Sequence, residues 1–173
     1  MDIQKLKDII RDVADFPKKG IIFKDITPLL SNPEAFGFVI DLLYEHFKNK
    51  DINKVLAVES RGFIFAAPLA YKLKCGLNIF RKPGKLPYKT LSHTYELEYG
   101  TDSIEIHRDA VTKGDNVVII DDLLATGGTA KAAACLAREM GAGTVSAGFV
   151  IELAFLNGRD KLKEYDIYRI IEF

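Results

Sequence analysis

The segment at residues 117–130, VVIIDDLLATGGTA, constrains the fold more than any other. Four β-branched apolar residues read as a strand buried on both faces. Two acidic residues follow, and a short loop with Gly127 and Gly128 leads into a helix. A strand buried on both faces needs helices packed on either side, which points to an α/β chain with a mostly parallel sheet. In such sheets ligands bind just beyond the carboxyl ends of the strands, where this loop lies. Its glycines let backbone N–H groups turn toward an anion, and the helix N-terminus favours negative charge. Thr126 and Thr129 add hydroxyl donors, so the loop suits a phosphate monoester. Asp121 and Asp122 fall where the ribose of a 5-phosphate would lie. Carboxylates there accept hydrogen bonds from sugar hydroxyls and stand near any Mg²⁺. The spacings G-x-x-x-x-G-K-[ST] and G-x-G-x-x-G are both absent. An ordinary strand-to-helix turn with acidic caps explains one Asp and one Gly, but poorly explains the whole run.

The rest of the chain supports one α/β domain over residues 1–173. Helical spacing of Ile3, Leu6, Ile9, Ile10 and Val13 predicts a first helix over residues 2–15, broken by FPKKG. Asn32 as N-cap and Pro33 at the first helical position start a second helix, reaching about residue 49 and burying Phe36, Val39, Ile40, Leu43 and Phe47. KVLAV (54–58), LNIF (77–80), TVSAGFVI (144–151) and IYRIIEF (167–173) read as further strands. GFIFAAPLAYKLK (62–74) reads as a helix that Gly76 can end, and residues 128–140 as one stopped by Gly141. TYELEYG and SIEIH alternate as an antiparallel pair, an appended flap. The stretch at 83–100 is too long and polar for a core connection, and such a loop is often an active-site lid.

Composition removes several classes of function. Twenty-four Lys and Arg balance twenty-four Asp and Glu, so no net charge favours bulk nucleic acid or an anionic membrane. No stretch approaches a membrane-spanning length, and the N-terminus lacks the pattern of a signal peptide. Cys75 and Cys135 sit among apolar or small residues without metal spacing, as reduced thiols of a cytoplasmic protein would. His46, His93 and His107 are scattered, unlike a metal site.

VVIIDDLLATGGTA resembles the phosphoribosyl pyrophosphate (PRPP) motif of type I phosphoribosyltransferases. FPKKGIIFKDITPLL (16–30), ESRGFIFAAPLA (59–70), RKPGKLP (81–87) and YELEYGTDSIEIHRDA (95–110) narrow the resemblance to adenine phosphoribosyltransferases. The match is collinear over nearly the whole chain. It implies the type I phosphoribosyltransferase fold, a mostly parallel sheet flanked by helices, with a base-binding hood at residues 1–35 and a flap at 83–107. It implies Mg²⁺-dependent transfer of 5-phosphoribosyl from PRPP to adenine, giving AMP and pyrophosphate, a purine-salvage reaction of a cytoplasmic homodimer.

The resemblance also implies roles for individual residues. Asp121, Asp122, Ala125, Thr126, Gly127, Gly128 and Thr129 hold the ribose and its 5-phosphate. Arg61, in a turn whose Glu59–Ser60 peptide is cis in many relatives, contacts pyrophosphate, joined by Arg81, Lys82 and Lys85. Glu98 matches the acid that protonates adenine N7 as N9 attacks. Phe23 and Leu153 sandwich the base, while Ile22 and Lys24 bind its edge through backbone groups. Lys24 stands where many relatives carry Arg, which leaves base preference open if the side chain matters. Mg²⁺ is expected to be held mainly by substrate and water, with no residue assigned as metal ligand. Three rivals differ in predicted behaviour: a transferase for xanthine or orotate, a PRPP-sensing regulator, and a binding module without catalysis. The regulator would add a DNA-binding segment and a basic face, and the module has no need of the Glu98 flap.

Overall fold

The computed structural model describes residues 1–96 and 100–173, divided into two compact units, Met1–Leu42 and Leu43–Phe173. In the first unit, α1 (Ile3–Ile9) is capped by Asp2, whose carboxylate accepts the Lys5 N–H at 2.8 Å. The helix predicted to reach Asp15 stops at Ile9. Residues Arg11–Ala14 instead form β1, antiparallel to β2 (Ile22–Asp25). The β-branched residues Ile10 and Val13 suit extended chain, and the hairpin supplies the backbone partners a longer helix would have supplied. Asp15 takes φ +59° at the turn and its carboxylate accepts the Gly20 N–H at 2.7 Å. A short helix absent from the sequence reading, α2 (Thr27–Ser31), follows Asp25, whose carboxylate accepts the Thr27 N–H at 2.9 Å. Helix α3 (Pro33–Phe47) starts as predicted: the Asn32 side chain accepts the N–H groups of Glu34 and Ala35 at 3.1 and 3.0 Å. Val39 and Ile40 are buried, and Phe36 only half-buried.

The second unit is built on β3 (Lys54–Val58), α4 (Gly62–Leu73), β4 (Gly76–Phe80), β5 (Thr90–Glu96), β6 (Thr101–His107), β7 (Asn116–Leu124), α5 (Gly128–Glu139), β8 (Thr144–Glu152) and β9 (Asp166–Glu172). Five of these strands make one sheet in the order β4-β3-β7-β8-β9, with every neighbouring pair parallel. Strands β5 and β6 pair antiparallel as a separate ribbon, the pairing that the alternation predicted, with β5 starting earlier, at Thr90. Val55, Leu56, Val117, Val118, Ile119 and Ile120 are fully buried at the centre of the sheet. Helix α5 packs on it with Ala130, Ala132, Ala133, Ala134 and Ala137, small side chains that let helix and sheet approach closely. Lys74 at φ +56°, not Gly76, ends α4, and Gly76 opens β4.

The strand order fixes where a ligand can sit. From β3 the chain moves outward to β4, then returns to the other side of β3 for β7 and onward to β8 and β9. The sheet therefore has its switch point between β3 and β7, and the loops after these two strands diverge to leave a crevice at their carboxyl ends. Strand β7 runs to Leu124, longer than predicted. Strand β8 keeps its acidic end in the sheet, with Asp121 opposite Phe149 and Leu124 opposite Glu152.

Candidate active site

The loop after β7 frames a hollow of ≈ 80 Å³ lined by Asp121, Ala125, Thr126, Gly127, Gly128 and Thr129 among others. Gly127 turns the chain with φ +77°. A Cβ there would stand 2.3 Å from the Gly158 carbonyl oxygen, so both conformation and space require glycine. An adjoining cleft of ≈ 270 Å³ is lined by Glu59, Ser60, Arg61, Lys82, Asp121, Asp122 and Thr129, among others. Asp121 and Thr129 border both spaces.

The loop after β3 forms the opposite wall. The Glu59–Ser60 peptide is cis, as the resemblance implied. Gly62 opens α4 against β7: a Cβ there would lie 2.6 Å from the Ile120 carbonyl oxygen, so only glycine admits the helix so close to the crevice. Arg61 reaches across, its Nε 2.9 Å from Asp122 Oδ2. Asp122 is only 4% exposed and Asp121 half-buried, and both border the cleft. Asp121 Oδ1 accepts the Asp122 N–H at 2.8 Å. Burial, and then the charge of Asp122, pushes the Asp121 carboxyl well above the usual carboxylate range. Burial raises Asp122 as well, against the pull of Arg61.

The basic residues at the end of β4 gather on one acid. Glu59 accepts from Arg81 Nε at 3.0 Å, from the Lys82 N–H at 2.6 Å and from Lys85 Nζ at 2.5 Å. Burial works against its charge, but Lys85, the Lys82 N–H and Arg81 together hold its pKa down to about 2. The Lys82 ammonium pairs with Asp102 of β6. Across the ribbon Asp102 faces Tyr95, whose hydroxyl donates to it at 3.1 Å and accepts from Thr129 at 2.9 Å. Among the described residues no group of three or more His, Cys, Asp and Glu could hold a metal.

A phosphoribosyl transferase domain model matches residues 25–172. An adenine phosphoribosyltransferase of Halothermothrix orenii is 53% identical over 168 residues, 97% of this chain and 99% of its own length. The crystal structure of the adenine phosphoribosyltransferase of Thermoanaerobacter pseudethanolicus superposes with a TM-score of 0.96 at 53% identity, covering 99% of both chains. The chain belongs to the adenine phosphoribosyltransferase family. Its fold is the type I phosphoribosyltransferase fold. A further family member, that of Saccharomyces cerevisiae, was crystallised with an imino-altritol bisphosphate and adenine; it is 41% identical, with a TM-score of 0.91 and 97% of each chain covered.

Several residues that the family resemblance singles out occupy one wall or another of this crevice. Ala125, Thr126, Gly127, Gly128 and Thr129 line the hollow, and Arg61, Lys82, Asp121 and Asp122 line the cleft. Arg81 and Lys85 are tied to Glu59, which lines the cleft. Ile22, Phe23 and Lys24 lie on β2 of the first unit, with Phe23 edge-on to Phe16 at 5.2 Å and Lys24 Nζ 2.6 Å from Asp12. Leu153, in the second unit, follows β8 and donates its N–H to the Leu124 carbonyl at 2.9 Å. Glu98 lies outside the described residues. Sequence reasoning gave no role to Glu59, Tyr95, Asp102 or Gly158. Glu59 stood at a strand end next to Arg61, a usable signal, but the others reach the site only through tertiary pairing.

Proposed function

We propose that this chain transfers the 5-phosphoribosyl group of PRPP to adenine, giving AMP and pyrophosphate. The observation that carries the reading is the crevice at the switch point. A glycine loop shaped for a phosphate stands on one side and Arg61 with Lys82 on the other, with Asp121 between. That order matches a 5-phosphate, a ribose and a diphosphate in sequence. The yeast relative's bisphosphate and adenine support the same pairing of ligands. Adenine is assigned to Ile22, Phe23, Lys24 and Leu153 on the family resemblance alone, as are the hood at residues 1–35 and the flap at 83–107.

In this reading adenine N9 bonds to the anomeric carbon as its bond to the diphosphate oxygen breaks, and the electron pair leaves with pyrophosphate. Positive charge grows on the sugar and negative charge on the leaving group, which Arg61, Arg81, Lys82 and Lys85 stabilise. Asp121 accepts the ribose hydroxyls and Asp122 holds Arg61 in place. Glu98 is assigned, on the family resemblance, as the acid that protonates N7 as N9 attacks. The N9 proton passes to water and N7 then returns its proton to Glu98, so adenine gives up one ring proton overall. In this reading Mg²⁺ would be held mainly by the substrate and water, with Asp121 and Asp122 lining the cleft beside it. When bound, Mg²⁺ supplies charge neutralisation at the diphosphate. The two free cysteines suit a reducing, cytoplasmic setting. Exposed Ile64 and Tyr71, seven residues apart on α4, support a homodimer.

The test is incubation with PRPP, Mg²⁺ and a panel of bases. AMP and pyrophosphate should form from adenine. Hypoxanthine and guanine reverse the donor and acceptor at positions 6 and 1, and a site that reads those groups discriminates by about 10⁴-fold or more. Comparable turnover of a 6-oxopurine, xanthine or orotate would overturn the assignment.

A further inference from the structure

An anion cradle made of backbone N–H groups works only if those groups keep their aim, and a loop containing two adjacent glycines has little stiffness of its own. Here the stiffness comes from beneath. Gly158 is buried against the underside of the loop: a Cβ on it would stand 2.1 Å from the Ala125 carbonyl oxygen and 2.9 Å from the Gly127 nitrogen. Gly127 meets the Gly158 carbonyl oxygen as closely from its own side. The two backbones touch with no side chain between them. Gly158 has no positive φ, so its need for glycine is one of space rather than conformation.

The turn carrying Gly158 is itself anchored. It consists of two 3-10 segments, Ala154–Leu156 and Gly158–Leu162, directly after β8. Glu152, the buried last residue of β8, accepts from Arg159 Nε at 3.0 Å and Nη2 at 2.7 Å, a fork that fixes the neighbour of Gly158. Arg169 of β9 lies 2.8 Å from the same carboxylate. Leu153 N–H bonds to the Leu124 carbonyl, tying the start of the turn to the end of β7. Leu162 is fully sunk in the core at the other end.

Resting on the assignment of residues 125–129 to the 5-phosphate, we propose that Gly158, held by the Glu152–Arg159 pair, is a positioning residue that sets the backbone of the phosphate loop. It touches no substrate. Its effect falls on the 5-phosphate end and leaves the pyrophosphate end, built from Arg61, Arg81, Lys82 and Lys85, unchanged.

Calorimetric titration of the full chain with ribose 5-phosphate and, separately, with pyrophosphate tests this. Gly158→Ala should weaken ribose 5-phosphate about 10- to 100-fold, the scale of loss that small misplacements cause, with pyrophosphate affinity unchanged. KM for PRPP should rise in step. Arg159→Gln should move the same ligand in the same direction, Arg159→Lys should recover part of the loss, and Lys161→Gln on the exposed side of the turn should do nothing. If Gly158→Ala does not fold, the Arg159 pair of variants decides. Loss of both ligands alike, or of neither, would overturn the inference while wild type still binds ribose 5-phosphate. Wild type that fails to bind ribose 5-phosphate would overturn the loop assignment and the inference with it.

Discussion

The Arg61 guanidinium pairs with Asp122, and the cost of holding two neighbouring carboxylates together falls on Asp121. Its folded pKa lies above the unfolded value, so the folded chain holds that proton more tightly and loses stability as pH rises through the folded pKa. Asp121→Asn should therefore raise Tm at neutral pH in the absence of substrate, by about 2–4 °C for each kcal/mol recovered. The same change removes a charged acceptor for ribose, worth about 1.5–3 kcal/mol, so kcat/KM for PRPP should fall about 10- to 100-fold. Thermal melts and steady-state kinetics on one preparation check both; a variant less stable and fully active would contradict both. Glu59 carries the opposite sign. Its pKa is depressed from an ordinary 4.5 to about 2, so its stabilisation is present above 4.5 and lost as pH falls toward 2. Unfolding free energy measured across that range should fall more steeply for wild type than for Glu59→Gln, and parallel curves would show that the cations around Glu59 do not support its charge.

Helix α4 reaches β7 only because position 62 has no side chain. Gly62→Ala sets a Cβ against a backbone oxygen that cannot swing aside, and overpacking of this kind costs about 1–3 kcal/mol. A lower urea midpoint with an unchanged m-value is the expected result, and an unchanged midpoint would mean that α4 can shift freely. The elements themselves were legible to different degrees. Strands buried on both faces, such as VVII and KVLAV, announce themselves as apolar runs, and the Asn32-Pro33 start of α3 is a chemical signature of a helix end. Residues 10–15 were misread because Ile10 and Val13 fit helical spacing as well as strand alternation, and only pairing with β2 decides between them. Strand β7 outran its prediction because an acidic pair looks like a strand's end, while β8 supplies ladder partners to Leu124. At the site, the glycine loop and its acids were readable from one contiguous run. Tyr95, Asp102 and Gly158 were not, because each acts through a partner distant in sequence.

For the whole molecule the proposed homodimer has a direct check. Tyr71 is 86% exposed on α4 and shares a face with Ile64, and Leu77 is exposed on β4 at the sheet edge. An apolar face of that kind suits burial against a second copy. Sedimentation should give about twice 19.3 kDa for wild type, and Tyr71→Glu should shift the mass toward 19.3 kDa. A monomeric wild type would remove the proposal. The pairing of the four cations assigned to pyrophosphate bears on the molecule's surroundings as well. Arg61 faces Asp122, Arg81 and Lys85 face Glu59, and Lys82 faces Asp102. A chloride or acetate ion meets these cations one at a time and must displace a carboxylate that is tethered to the chain and cannot diffuse away. On the proposed assignment a diphosphate would engage several of these cations in a single event, so each displaced carboxylate would be offset by a contact on the same ligand.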